Sequence, residues 1–249
     1  MVDVIDGGFT VVGHRGLSGK KIENTIESFT AAVKSGARAV ELDVQVSKDG
    51  VPVVFHDFNT GRLCGIDHRV TDMNFASLRE LKVAGKAEIP SLTEVFNAIP
   101  ETWVFVELKI SFSSSKAEKL ALCRAVKLAV SKAKAEKRVT IISFDPESLT
   151  LYGELDRKAR LGLDYDSESI GYLQKQGYRI DDLLHQFRVL LPDQDFHDED
   201  KLIDLVRSGK RLFPWTVNSQ SRVSRFREIG LAGIITDNAD EMVKFDKPS

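Results

Sequence analysis

The chain has 249 residues, 42% of them apolar and 29% charged, with 35 basic side chains against 37 acidic ones. So even a balance gives no support for a nucleic-acid partner, which calls for a clustered basic surface, and no apolar run reaches the ~18 residues that a membrane span requires. The opening "MVDVIDGGFTVVG" has no signal-peptide pattern, and Cys64 and Cys123 have no metal-type spacing, so they read as free thiols of a reducing, cytoplasmic compartment.

Along the chain, short β-branched runs alternate with helical patterns, which argues for parallel βαβ units. The first run, FTVVG at 9–13, stops at Gly13 and delivers His14-Arg15-Gly16. A helix follows with Ile26, Phe29 and Val33 on one stripe and Gly36 as its C-terminal stop. Asn24, with Glu27 three residues on, reads as a variant of the N-terminal capping box. The second strand, 37–44, carries Glu41-Leu42-Asp43, and Ser47-Lys48-Asp49-Gly50 is a tight-turn signal before a third run at 51–55. No helix fits in that turn, so 51–55 folds back as an antiparallel arm. The expected register sets Val46 against Val51, Asp43 against Val54 and Glu41 against His56.

Residues 57–90 break the rhythm, with little strand character and one short helical stretch near 75–82. They read as an insertion of the kind that walls an active face, before a helix at 91–99. Strands are then expected at 102–108, 138–144, 159–165, 188–192, 211–217 and 233–237. The helix at 115–137 places Leu122, Val126 and Ala129 on one face, and that at 221–230 does the same with Val223 and Phe226. Setting the hairpin arm aside leaves eight strands, each with room for a helix. The fold expected is therefore α/β, a (β/α)₈ TIM barrel in one domain, 1–249, with an antiparallel hairpin and a small insertion at about 57–90 after the second strand.

Catalytic groups of such barrels sit at the C-terminal ends of the strands. There the chain places His14 and Arg15, then Glu41 and Asp43, then Glu107 and Lys109. A core strand rarely tolerates a carboxylate unless it is paired or bound to metal, and strand alternation puts Glu41 and Asp43 on one face. Two readings of the three acids stand side by side. Either a hard divalent cation, Mg²⁺ or Ca²⁺, resolves their repulsion through oxygen-only ligation, or Arg15 and Lys109 neutralise them as buried ion pairs. The hairpin returns His56 to the same rim, and two histidines there suit general acid–base work. Arg15 and Lys109, with a cation, make a clamp for phosphate oxygens. Trp215 reads either as core packing or as a flat wall against a small organic group.

These residues and their order resemble the glycerophosphodiester phosphodiesterase family over nearly the whole chain. The matching pieces are H-R-G at 14–16, E-N-T at 23–25, E-L-D at 41–43, H-D at 56–57, V-E-L-K at 106–109, S-F-D at 143–145, W-T-V-N at 215–218 and G-I-I-T-D at 233–237. The resemblance implies a barrel with a small insertion that cleaves a small-molecule glycerophosphodiester to glycerol 3-phosphate and an alcohol. It implies His14 and His56 as the acid–base pair, and Glu41, Asp43 and Glu107 as ligands of one divalent cation, Mg²⁺ or Ca²⁺. Arg15 and Lys109 would bind phosphate, and Trp215 would wall the glycerol or alcohol side. Family members often carry a Leu-Asp-Arg-Thr-Thr-like stretch after the H-D pair. Here Asn59-Thr60-Gly61-Arg62 stands in its place, a difference that bears on substrate preference. A lyase forming a cyclic phosphate on the same barrel is the alternative reaction. A catalytically inactive barrel that binds a phosphorylated ligand disagrees with the presence of both histidines and all three acids. Oligomeric state has no legible motif.

Overall fold

The computed structural model describes residues 3–246. In chain order the first half runs β1 (Thr10–Gly13), α1 (Ile26–Lys34), β2 (Ala39–Val46), β3 (Pro52–Val54), α2 (Gly61–Cys64), α3 (Phe75–Glu80), β4 (Lys82–Val83), β5 (Ala87–Glu88), α4 (Leu92–Ala98), β6 (Trp103–Leu108) and α5 (Lys116–Lys132). The second runs β7 (Val139–Ser143), α6 (Pro146–Leu155), β8 (Arg160–Tyr165), α7 (Ser167–Lys175), α8 (Ile180–Gln186), β9 (Val189–Pro192), α9 (Glu199–Arg207), β10 (Arg211–Leu212), α10 (Gln220–Glu228), β11 (Gly233–Thr236) and α11 (Ala239–Asp246). The main sheet follows the order β10-β9-β8-β7-β6-β2-β1-β11, and β3 pairs antiparallel with β2 at the side. The other neighbours are parallel. Backbone bonds from Ala232 to Leu212, from Ile235 to Pro214 and from Val217 to Ile235 bring β10 against β11 and close the barrel.

Strand alternation sorts the apolar side chains into two layers. Val12, Ala39, Phe105, Ile142, Leu191, Phe213 and Ile235 fill the barrel interior, where the rings of Phe105 and Phe213 meet at 5.0 Å. Val11, Val40, Leu42, Val106 and Leu190 face outward to the helices. The expected helix faces are there: Leu122, Val126, Ala129, Val223 and Phe226 are buried, as is Phe29 of α1. Gly233 sits where strands crowd, since a Cβ there would come 2.1 Å from the Thr10 carbonyl and 2.8 Å from Phe213.

Three details differ from the sequence reading. The run 211–217 forms a strand only at Arg211–Leu212, because Pro214 has no N–H to give the ladder; a single bridge between Asp193 and Trp215 resumes it. The hairpin register is one residue off the expected one, with Val44 opposite Val54 and Val46 opposite Pro52. The turn runs one residue longer because Ser47 closes it through its own N–H to the Val51 carbonyl. Thirdly, residues 57–90 hold more structure than the one expected helix. Besides α3 they form α2, a 3₁₀ turn at Val70–Asp72 and the small β4–β5 ladder. Their apolar residues Val70, Leu78, Val83 and Ile89 cluster with Val53 and Phe55 of the hairpin arm and dock the segment on it.

Candidate active site

The strand register assembles the acids. β2 and β6 pair so that Asp43 stands opposite Glu107 and Glu41 opposite Phe105, which puts both acids of β2 and that of β6 on the inward face. Oxygens of Glu41, Asp43 and Glu107 lie within 4.8 Å of one another, and all three residues are buried. Two cations serve them. Lys109 Nζ is 3.0 Å from Glu107 and 3.5 Å from Asp43, and Arg15 Nε is 3.4 Å from Asp43. Asn24 adds a 2.7 Å amide bond to Asp43. Among the described residues, Glu41 has only the Arg15 backbone N–H at 3.0 Å and the His14 ring at 3.9 Å as hydrogen-bond or ion-pair partners.

The protonation tendencies follow from that division. Burial works against ionised Asp43, but Lys109 and Arg15 outweigh it and hold its carboxyl well below the usual range. Burial and the neighbouring Asp43 and Glu107 push Glu41 well up. Burial pushes Glu107 up to about 7 despite Lys109. Three acids against two cations leave Glu41 without a partner charge. Clustered, buried and oxygen-only, they fit a hard divalent ion.

The local chain path explains the His-Arg-Gly order. Arg15 adopts φ 51°, Gly16 φ 89° and Asn24 φ 57°, all in the left-handed region that favours glycine. At Gly16 a Cβ would collide with Ser28 at 2.4 Å. Arg15 and Asn24 carry side chains in that region, strain of a kind that concentrates at functional sites. The sharp bend turns the Arg15 N–H onto Glu41 and binds the Arg15 carbonyl to Asn24 and Ser28. Asn24 is thus not the helix cap expected. Thr25 caps α1 by accepting from Ser28, which frees Asn24 for Asp43.

Each histidine is backed by a carboxylate. His14 Nδ1 is 2.7 Å from Asp237 and His56 Nδ1 is 2.7 Å from Asp57. An ionised carboxylate only accepts, so Nδ1 donates and Nε2 carries the ring's lone pair. Burial opposes both charges, yet hydrogen bonds from His14, Asn218 and Ser18 hold Asp237 well below the usual range, and Arg62 and His56 lower Asp57. Burial also lowers His56. His56 reaches the rim although it lies past the end of the β3 ladder. The Gln45 side-chain amide grips the carbonyls of Phe55 at 2.9 Å and Asp57 at 2.7 Å, and so holds the chain between them.

His14, Arg15, Glu41, His56, Glu107, Lys109 and Trp215 all line one cavity of about 410 Å³ at the C-terminal mouth of the barrel. The buried Arg15 Nε makes no hydrogen bond among the described residues and faces Asp43 at 3.4 Å. Trp215 is half-buried. Its Nε1 is anchored on the Leu191 carbonyl at 2.8 Å and its ring meets Phe144 at 5.6 Å, so it is both packed and a wall. Asp237, Asp57, Gln45 and Asp164 went unassigned in the sequence. Asp164 and Asp237 carried the same signal as the three acids, a carboxylate at a strand's C-terminal end.

Residues 14–241 match the model of the glycerophosphoryl diester phosphodiesterase family. The chain belongs to that family. The chain is 31% identical to a glycerophosphodiester phosphodiesterase of Caldanaerobacter subterraneus, over 94% of this chain and 96% of the relative. Its fold is shared with the glycerophosphodiester phosphodiesterase of Thermotoga maritima at a TM-score of 0.75 and 30% identity, covering 95% and 97% of the two chains. It is shared too with an Oleispira antarctica phosphodiesterase solved with the product sn-glycerol-3-phosphate, at a TM-score of 0.81 and 23% identity, covering 95% and 96%. Membership makes this chain a phosphoric diester hydrolase with a small-molecule substrate. Among the described residues no helix is long and apolar enough to cross a membrane.

Proposed function

We propose that this single barrel domain hydrolyses glycerophosphodiesters to glycerol 3-phosphate and an alcohol. Glu41, Asp43 and Glu107 would hold one divalent ion, Mg²⁺ or Ca²⁺, and His14 and His56 would act as the acid–base pair. What supports the reading is the convergence of both histidines, Glu41, Glu107, Arg15 and Lys109 on one cavity, with Asp43 buried behind its wall within 4.8 Å of the other two acids.

When bound, the ion supplies charge neutralisation and polarisation at a phosphate oxygen. The side chains do the rest. Arg15 and Lys109 draw the phosphate toward the acids and stabilise the charge that builds on its oxygens. One histidine takes the nucleophile's proton at Nε2, and the other delivers a proton from Nε2 to the leaving alcohol oxygen. Asp237 and Asp57 hold the two rings in the tautomer this requires and stabilise each imidazolium as it forms.

The test is release of glycerol 3-phosphate from a panel of glycerophosphodiesters by chelated protein, with and without Mg²⁺ or Ca²⁺ restored. Activity should vanish on chelation and return with the ion. Full activity in thoroughly stripped protein would remove the ligand roles, and a cyclic phosphate product would replace hydrolysis by the lyase reaction.

A further inference from the structure

The opposite end of the barrel holds a second cavity, of about 600 Å³. Trp103 and Arg160 open β6 and β8, Arg138 directly precedes β7, and Lys134 and Lys137 lie in the connection between α5 and β7. Four cations and one acid, Asp3, line it, and Asp3 is taken by Arg160 at 3.1 Å. Glu101 and Glu136 are exposed and do not line it. This cavity is no extension of the catalytic one. Trp103 and Glu107 stand roughly 13 Å apart along β6, at ~3.3 Å per residue, and Phe105 and Ile142 fill the interior between the two mouths.

Two of these cations are costly where they stand. Arg138 is 5% exposed. Its guanidinium donates to the carbonyls of Ile99, Thr102 and Phe96 around the end of α4, at 3.3, 2.9 and 3.2 Å, and no carboxylate among the described residues pairs with it. The carbonyls fix the group without neutralising it, and burial pushes its pKa below the ordinary value. Lys134 adopts φ 51° where α5 ends. After α1, α7, α9 and α10 that left-handed position falls to a glycine, Gly36, Gly177, Gly209 and Gly230, which has no Cβ to strain. Here a lysine accepts the strain and brings an ammonium group to the cavity. The Lys134 and Lys137 ammonium groups have no carboxylate partner among the described residues.

We propose that this N-terminal mouth binds a small, multiply charged phosphate anion, with a diphosphate group as the minimal ligand. Four cations less Asp3 ask for more than one negative charge, and the cavity is of the size that takes a whole small molecule. Lys134 and Lys137 meet the anion's oxygens, Arg138 supplies the fixed charge at the back, and Arg160 exchanges Asp3 for the ligand. A concave lining fits a compact anion, whereas a duplex or a bilayer calls for cations spread over a broad outer face. The site is independent of the phosphodiesterase reading above.

Trp103 is the reporter, since the Arg160 guanidinium lies over its ring at 4.9 Å, and in a Trp215→Phe chain it is the sole tryptophan. Its emission is followed as pyrophosphate or ADP is added to protein kept in excess Mg²⁺, with adenosine as the uncharged control. Both anions should shift the emission saturably and adenosine should not. Equal affinities assign the site to the diphosphate alone, and tighter ADP to a nucleotide. Lys134→Gly combined with Lys137→Gln should weaken binding on the order of tenfold without lowering Tm, because glycine suits the left-handed position. Should the double variant melt lower, Lys137→Gln alone, at an exposed position, must show a several-fold loss. Emission that responds to neither anion, or affinities that the substitutions leave unchanged, overturns the proposal.

Discussion

The two histidine–aspartate pairs at the mouth make the same 2.7 Å bond and are built in opposite ways. Asp237 comes from the far end of the chain, past the last barrel strand, and reaches His14 only because β1 and β11 are neighbours in the closed barrel. It accepts from Ser18 and Asn218 as well, both at 2.9 Å. Asp57 is the residue next to His56, and its outer partner is Arg62, at 2.5 and 3.0 Å. Arg62 also holds Glu23, which holds Arg15. The His14 arm is thus welded into the scaffold, whereas the His56 arm hangs on the insertion through an arginine that is 49% exposed. Exposed ion pairs are worth ~0–1 kcal/mol and are screened by salt. One arm draws its precision from barrel closure, the other from a surface network plus the buried Gln45.

The comparison is broken most severely by removing the rings themselves. His14→Ala and His56→Ala should each cut kcat by a factor on the order of 10² to 10⁴, measured as glycerol 3-phosphate release from folded protein. Turnover like wild type in either would strip that arm of its role. Next come the carboxylates. Asp237→Asn should cost on the order of 10- to 100-fold, and Asp57→Asn less, because Gln45 still holds the His56 backbone. The reverse order would show that the insertion arm is the rigid one. Arg62→Ala should cost only a few-fold. Added salt should reduce wild-type kcat/KM toward that of the variant, and a variant as salt-sensitive as wild type would discard the surface network as the cause.

The smallest effect concerns the acid trio between the arms. In metal-free protein Glu41 and Glu107 are raised by burial above the ~4.3 of an unfolded chain. A carboxyl raised on folding contributes stability that is present below its unfolded pKa and is lost as pH rises through its folded one, here about 7 for Glu107. Asp43 has the opposite sign, and its contribution is lost only in acid, outside this window. The two acids should therefore destabilise chelated protein as pH rises from 5.5 to 8, against the smaller opposite contribution of His56 and His197, whose lowered pKa values favour folding as pH rises, and Mg²⁺ or Ca²⁺ should raise Tm more at pH 8, by thermal-shift assay. An ion-induced gain equal at both pH values would show that the acids are not its ligands.

Much of this was legible in the amino-acid sequence. Alternation of β-branched runs with amphipathic stripes specifies parallel strands under helices, and the short Asp49-Gly50 turn singles out the antiparallel arm, because both are local periodicities. The acids Glu41, Asp43 and Glu107 were visible because a carboxylate within an apolar strand is costly wherever the strand lies. Asp164 and Asp237 carried the same mark. What tertiary structure alone decided is which of these groups meet. The pairing of His14 with a residue 223 positions away and the turning of Asn24 from cap to acid partner depend on barrel closure and on the left-handed backbone at Arg15, Gly16 and Asn24. Both are set by the balance of many distant contacts, a balance no local window of residues contains.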